Sequence, residues 1–590
     1  MYIPRASSSL RISTTPQRLL RGEKQSMADM VENYSVAAPA TETTTGTTAP
    51  TGSAMTLGQG RRAPIIVGLM LGMLLAALDQ TVVGTAMPHV IAELGGQNIS
   101  WVYTSYLLAS TVGVPIYGKL SDIYGRRIFF IGGMVMFLLG SALSGASQDM
   151  TQLIIFRGIQ GLGAGALMPI AQAIIADIFP PAERGKWQGL FMAVFGFATI
   201  IGPLLGGWIT DNWGWRWVFY VNMPVGAVAI VTAGLTMPRI LSNRKHKIDY
   251  LGSTALILWS VPLLLALSWG GSEYDWNSWQ IIGLFAGSAV MLIVFLIIEL
   301  RAAEPIISPR LFKSSIFTVS TISTFLLAAG MFGTILYLPY FVQDALGQSA
   351  TNSGVILTPM MLGFIVSSII GGQLLSRTGR YKIIALFGFV VATIGMVMLS
   401  RMTVNTSNPE LLRNMVVTGL GIGVMMSLFT IVVQNAFPPR QIGEVTASLT
   451  FFRSMGSTIG LAVLGSVLTN SFASNLQANM PAALKPFIPV SKLTSIGSTQ
   501  TNSSALQAQF AQFGPQGKVL YEQLMEAVKV SFASAVTEVF LIGAGMMIIA
   551  FIVTLFLREI PLRKSNHHHE GASAGGEAAT EEPLPLDLAL

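Results

Sequence analysis

Cysteine is absent from all 590 residues, which excludes disulfides, thiolate metal sites and cysteine nucleophiles and leaves the redox compartment open. Charge is scarce as well. Asp, Glu, Lys and Arg make up 11% of the chain, against roughly 25% in an ordinary soluble domain, too little polar surface for a water-soluble globule. No G-x-x-x-x-G-K-[ST] run is present, so no nucleotide is implied as an energy source. No clustering of His with acids occurs in the apolar segments, which argues against a membrane enzyme and against a metal site. The net charge of +7 does not point to nucleic acid either, because the basic residues stand at the ends of apolar runs and form no aromatic-laced patch. What the chain has in quantity is apolar residues, 52% of the total. The expectation is an all-α integral membrane protein in contact with the lipid bilayer.

Residues 1–62 are rich in Ser, Thr, Ala, Pro and Arg and read as a disordered cytoplasmic tail. Its first 22 residues, basic and free of acid, weakly resemble an organellar transit peptide; the duller expectation is a true start at Met27 or Met55. From Pro64 onward a span of roughly 20 residues is enough to cross the hydrocarbon. The apolar segments then fall at 64–88, 101–120, 128–148, 151–176, 187–209, 216–237, 250–269, 279–298, 316–342, 353–375, 382–400, 412–436, 443–470 and 530–557. This is an even count, so both termini share one side. With that side cytoplasmic, 26 of the 35 Lys and Arg fall in inner tails and loops, seven in outer segments, and two, Arg157 and Arg453, inside helices. The bias supports the orientation. Residues 471–529 are expected to form a long outer loop with part of it as a helix lying on the membrane surface, and 558–590 a disordered cytoplasmic tail whose His567–His569 run is not a metal site.

Between the second and third segments lies GKLSDIYGRR, Gly118 to Arg127. Gly118 and Gly125 suit tight turning and close packing, Asp122 can accept from helix-end amides, and Lys119, Arg126 and Arg127 place positive charge at one membrane face. A plain basic loop would explain the arginines but not the two glycines and the aspartate at these offsets. The pattern resembles the signature loop of the major facilitator superfamily. GQLLSRTGR, Gly372 to Arg380, echoes it after the tenth segment with Ser376 in place of Asp122, so two related six-helix halves are expected, 63–237 and 315–557, flanking an inserted helix pair in 238–314. Asp177, Glu183 and Arg184 are candidates to pair with Arg126 or Arg127 and latch the inner face.

Charges inside the hydrocarbon cost roughly 2.5–3.5 kcal/mol each at a helix centre, and four are expected there: Asp79, Arg157, Arg453 and Glu538. Asp79 stands about 15 residues, or ~22 Å, from the inner end of its segment, and Arg157 about six residues, or ~9 Å, from the outer end of its own. They can share a level, where a proton or a cationic substrate would compete with the arginine for the carboxylate. Arg453 and Glu538 are placed near mid-membrane or slightly outside it. Structural pairing that merely orients helices is the plain alternative for all four.

LDQTVVGTAMPHV, residues 78–90, is similar to the first-helix motif of the fourteen-helix drug:proton antiporters, and RGIQGLGAG, residues 157–165, resembles their fourth-helix motif. The resemblance implies proton coupling and cation binding at Asp79 and proton transfer at Arg157. In GFATIIGPLLGG the residues Ala198, Gly202 and Gly206 fall four apart on one helix face, Pro203 permits bending, and Gly207 follows. This stretch resembles the antiporter motif of exporters, although that family often has glycine where Ala198 stands. WGWRWVFYVNMPVG (213–226) and the region 432–463 extend the likeness.

The expected function is therefore a proton-coupled antiporter that exports hydrophobic, often cationic, compounds by alternating access, with the proton gradient as energy source and no cofactor. Export of one endogenous lipid, siderophore or metabolite is the second expectation. A non-transporting membrane receptor or enzyme is the third.

Overall fold

A computed structural model of the chain describes residues 59–95, 99–237, 248–271, 273–346, 357–481, 484, 510 and 514–563, all within the second of two units, Ala54–Leu590. The N-terminal tail, the basic segment 238–247, most of 482–513 and the histidine run lie outside the described residues.

Lipid offers no partner for a backbone amide, so each apolar run satisfies its own backbone by coiling into a helix. Fourteen long helices result: α1 (Gln59–Leu94), α2 (Ser100–Tyr124), α3 (Arg126–Gly145), α4 (Met150–Ile178), α5 (Pro181–Trp213), α6 (Trp217–Thr236), α7 (Tyr250–Trp269), α8 (Trp279–Arg301), α9 (Ser315–Tyr340), α10 (Thr358–Thr378), α11 (Tyr381–Ser400), α12 (Asn408–Ala436), α13 (Ile442–Asn479) and α14 (Gly514–Leu555). Thirteen are long and apolar enough to cross a membrane. The exception is α2, rich in Ser, Thr and Tyr; it packs against α4, α13 and α7 and has little face left for lipid. Helices α1–α6 form one half and α9–α14 the other, joined at the core by a cluster that includes Phe130, Phe191, Phe317 and Phe389. The inserted pair packs on itself, and Trp259 of α7 meets Phe451 of α13 edge-to-face at 5.9 Å. Along α8, Ile282, Val290, Ile293, Ile297 and Leu300 are exposed, a lipid-facing row.

Three expectations change. The turn at Gly118–Arg127 is not an open hairpin: α2 runs to Tyr124 and only Gly125 breaks the path, at φ 100°, a left-handed conformation that favours glycine. The outer segment 471–529 is not all loop. Helices α13, 38 residues, and α14, 42 residues, exceed the roughly 20 needed to cross and project beyond the bilayer, where Leu476, Met480, Leu484, Phe510, Leu524 and Val528 bury one another. The apolar spacing read as a surface-lying helix instead serves this contact. The last tail is ordered as far as Arg563: Tyr381 Oη donates to Arg558 O at 2.8 Å, Asn435 Nδ2 to Pro561 O at 3.2 Å, and Arg563 N to Asn435 Oδ1 at 3.1 Å.

Candidate functional site: a buried carboxylate, a lone arginine and a closed face

The Asp79 side chain on α1 is fully buried and meets Arg157 of α4, itself 1% exposed, with Arg157 Nη1 donating to Asp79 Oδ2 at 2.6 Å. The other oxygen is also held. Gln160 Nε2 donates to Asp79 Oδ1 at 2.8 Å and Asn222 Nδ2 of α6 at 3.2 Å. The same Asn222 amide donates to Ser141 Oγ of α3 at 3.1 Å, which in turn donates to Phe219 O at 2.9 Å. Arg157 shares its Nη1 with Gln160 Oε1 at 2.7 Å, and its guanidinium lies over the Tyr106 ring of α2 at 4.2 Å. Five helices thus converge on one carboxylate. The sequence singled out the ion pair and missed Gln160, Asn222 and Ser141. Gln160 follows Arg157 by one helical turn, and Asn222 is the one amide within VNMPVG, so both could have been flagged as polar groups that hydrocarbon tolerates only with partners.

The small-residue face of α5 sets α1 in place beside this cluster. Ala198 is fully buried, and Thr81 Oγ1 of α1 donates to its carbonyl at 3.2 Å. A Cβ on Gly202 would strike Thr81, and one on Gly206 would strike Thr85 and stand 2.7 Å from Val82 O. Pro203 lies within the helix. Gly207 does not belong to this contact: a Cβ there meets nothing within 4 Å, since it is one residue round from the packed face.

Arg453 and Glu538 are not brought together. Arg453 of α13 is 7% exposed, and among the described residues its one hydrogen bond runs to Met168 Sδ of α4 at 3.3 Å, with no carboxylate paired to it. Glu538 is exposed, in a row with Leu541, Ile548 and Ile552 on the outside of α14. It stands about 17 residues, or ~25 Å, from Leu555, near the far margin of the hydrocarbon rather than its middle. That is farther out than the level expected for it, and its side chain is exposed rather than buried.

At the face bearing Gly118–Arg127, the two halves are in contact. Asp122 Oδ1 accepts from Gly443 N at 3.2 Å and Oδ2 from Glu444 N at 2.8 Å, so the expected helix-end amides are those of α13, in the other half. A carboxylate at a helix N-terminus meets both unpaired amides and the positive end of the helix dipole. Arg126 Nη2 pairs with Asp122 Oδ1 at 2.5 Å, Arg126 Nε donates to Asp177 Oδ2 at 3.1 Å, and Lys119 Nζ stands 3.3 Å from Glu444 Oε2. Ser308 N, after the inserted pair, donates to Glu444 Oε1 at 3.3 Å, beside a cavity of about 300 Å³ lined by Lys119, Glu299, Glu304 and Glu444. Gly118 is buried within α2 because a Cβ would strike Ala447 of α13. Of the two expected roles, turning and close packing, Gly118 serves the second and Gly125 makes the turn.

The remaining latch candidates do other things. Arg127 donates to Met237 O at 2.8 Å and to Gly234 O, carbonyls at the end of α6. Arg184 donates to Ala176 O at 2.7 Å and Phe179 O at 2.8 Å, at the end of α4. Both satisfy helix C-terminal carbonyls, which a cation does well. Glu183 is exposed in the first turn of α5.

Comparison with known proteins decides the family. Residues 69–461 match the model of the Major Facilitator Superfamily. The chain belongs to it. It is thereby a transporter rather than an enzyme. The chain is 41% identical to Multidrug resistance protein 3 of Bacillus subtilis (strain 168) over 494 residues, 84% of this chain and 94% of that protein. It is 38% identical to Multidrug transporter protein MdtP of the same organism over 540 residues, 89% and 98% of the two. Among solved structures, the proton:xylose symporter XylE shares the fold with a TM-score of 0.55 at 15% identity, over 85% of this chain and 97% of that one.

Proposed function

We propose that the protein is a proton-coupled antiporter that exports hydrophobic, often cationic, compounds across the cytoplasmic membrane by alternating access. The observation that carries this reading is Asp79, a carboxylate fully buried in the hydrocarbon and held by Arg157, Gln160 and Asn222. A static ion pair would serve to orient helices, but three donor contacts from three side chains on two helices leave a carboxylate whose release needs a replacement, and a proton is the smallest one. Asp79 also lies on the helix that packs against the small-residue face of α5, so rocking of α5 reaches it directly. Relatives named multidrug transporters support drug-like cargo for this chain too.

The lysine and arginine bias puts the Gly118–Arg127 face in the cytoplasm. The conformation is then closed to the cytoplasm, held by Asp122 on the start of α13. In the proposed cycle a proton arriving from outside neutralises Asp79, loosens Arg157 and Gln160, and allows the inner contact to part. Transport into everted vesicles under an imposed pH gradient tests the reading: Asp79→Asn abolishes gradient-driven uptake of a lipophilic dye, and collapsing the gradient does the same to the wild type. Undiminished uptake in either case overturns it.

A further inference from the structure

The two arginines buried in the spanning helices differ in one respect that bears on cargo. Arg157 has its carboxylate. Arg453 has none among the described residues, although it is 7% exposed, and its one hydrogen bond there runs to the Met168 thioether across the boundary between the halves. A guanidinium carries five N–H donors in a planar fork suited to oxyanions, and a thioether sulfur is a weak acceptor for one of them. The desolvation of such a group goes uncompensated until an anion arrives. One turn from Met168 on the same face of α4, Gln172 is fully buried, and neither its Nε2 nor its Oε1 is bonded among the described residues. Across the boundary Gln434 of α12 donates to Gln172 O and to Thr446 Oγ1 of α13, which ties this turn of α4 to the helix that carries Arg453. Asp79, by contrast, has both oxygens occupied and offers a cation nothing in this conformation.

We propose that Arg453, with Gln172 opposite, receives the oxyanion of an amphiphilic substrate, a carboxylate or sulfonate carried on an apolar body. Anionic amphiphiles thus join the cargo range, recognised by the second half of the molecule while the first half handles the proton. This assignment rests on the export reading. The seam between the halves is where alternating access would put cargo, and an anion bridging Arg453 and Gln172 would tie α13 to α4 during loading.

Equilibrium binding to the purified full-length chain tests it, using a dansyl-tagged fatty acid and the matching dansyl-tagged quaternary ammonium. Loss of one charge-assisted contact weakens the carboxylate probe by about tenfold to a hundredfold in Arg453→Gln, less in Arg453→Lys, and leaves the ammonium probe unchanged or tighter. Gln172→Leu weakens the carboxylate probe about fivefold, as expected for one neutral hydrogen bond, and provides the answer if Arg453→Gln does not fold. Equal loss of both probes, an unchanged carboxylate affinity, or no carboxylate binding by the wild type overturns the proposal. Binding is measured without a gradient, so a failure of proton coupling leaves these constants as they are and appears only in the vesicle assay.

Discussion

The two halves close the same face with the same backbone and different chemistry. In one crossing, Gly118 of α2 lies against Gly443 and Ala447 at the start of α13. In the other, Gly372 of α10 lies against Gly185 at the start of α5, each glycine occupying the space where the other's Cβ would be. Gly125 and Gly379 follow Gly118 and Gly372 at the same offset, both with positive φ. Yet Asp122 takes two amides of α13, whereas Ser376, its counterpart, has a buried Oγ with no hydrogen-bond partner among the described residues. A charged latch, which a change of protonation or salt can weaken, therefore sits beside a crossing that carries no ion pair among the described residues and one long neutral hydrogen bond, Ser368 Oγ to Gly189 O at 3.4 Å. The difference teaches that glycine sets how closely helices approach, and the acid sets how readily one crossing lets go.

The largest expected effect comes from breaking the first half's buried pair. Arg157→Ala leaves Asp79 an uncompensated buried charge and lowers stability by about 3–5 kcal/mol, seen as a fall in thermal midpoint; Asp79→Asn combined with Arg157→Gln recovers most of that stability while transport stays absent. Next come the crossings themselves. Gly118→Val and Gly372→Val both prevent closure of the loop face by steric overlap with Ala447 and Gly185, and each reduces transport by an order of magnitude or more. Because the native chain lacks cysteine, single introduced cysteines report that face's accessibility without background. If Gly372→Val closes normally, the second crossing is not a gate.

Smaller effects sharpen the charge difference. Asp122→Ser makes the first crossing resemble the second; it opens the loop face and costs about 1–3 kcal/mol of closure, the range for hydrogen bonds to a charged group, with insertion intact. Ser376→Asp does the reverse, adding an acceptor near Gly185 and slowing turnover severalfold by holding the face shut; faster turnover would contradict this. Smallest of all is Glu538→Gln. An exposed carboxylate at the membrane margin has no buried partner to lose, so transport and thermal stability stay within about 0.5 kcal/mol of wild type.

Much of this architecture could be read before any coordinates. Helix number and order followed from run length, because hydrocarbon leaves a chain no other way to satisfy its amides. The pairing of Asp79 with Arg157 followed from depth, since both were counted from helix ends. What could not be read was orientation around each helix. Glu538 and Arg453 were both expected among buried charges, but one faces outward and the other the seam, and depth carries no azimuth. Gly207 likewise sits in a motif without sitting in its contact. The lengths of α13 and α14 were underestimated because polar helix beyond the bilayer looks like loop to a hydropathy reading.

The sequence by itself determined that the chain crosses a membrane many times, that it carries two copies of one glycine-bounded turn, and that a few charges must find partners inside hydrocarbon. Only the tertiary structure decided which partners those are. Gln160, Asn222 and the amides of Gly443 and Glu444 come from positions 81 to 322 residues away from the carboxylates they serve. The physical reason is that burial penalties are fixed by residue type and depth, while relief depends on which helix faces meet, and that is settled by the packing of small residues across helices far apart in the chain.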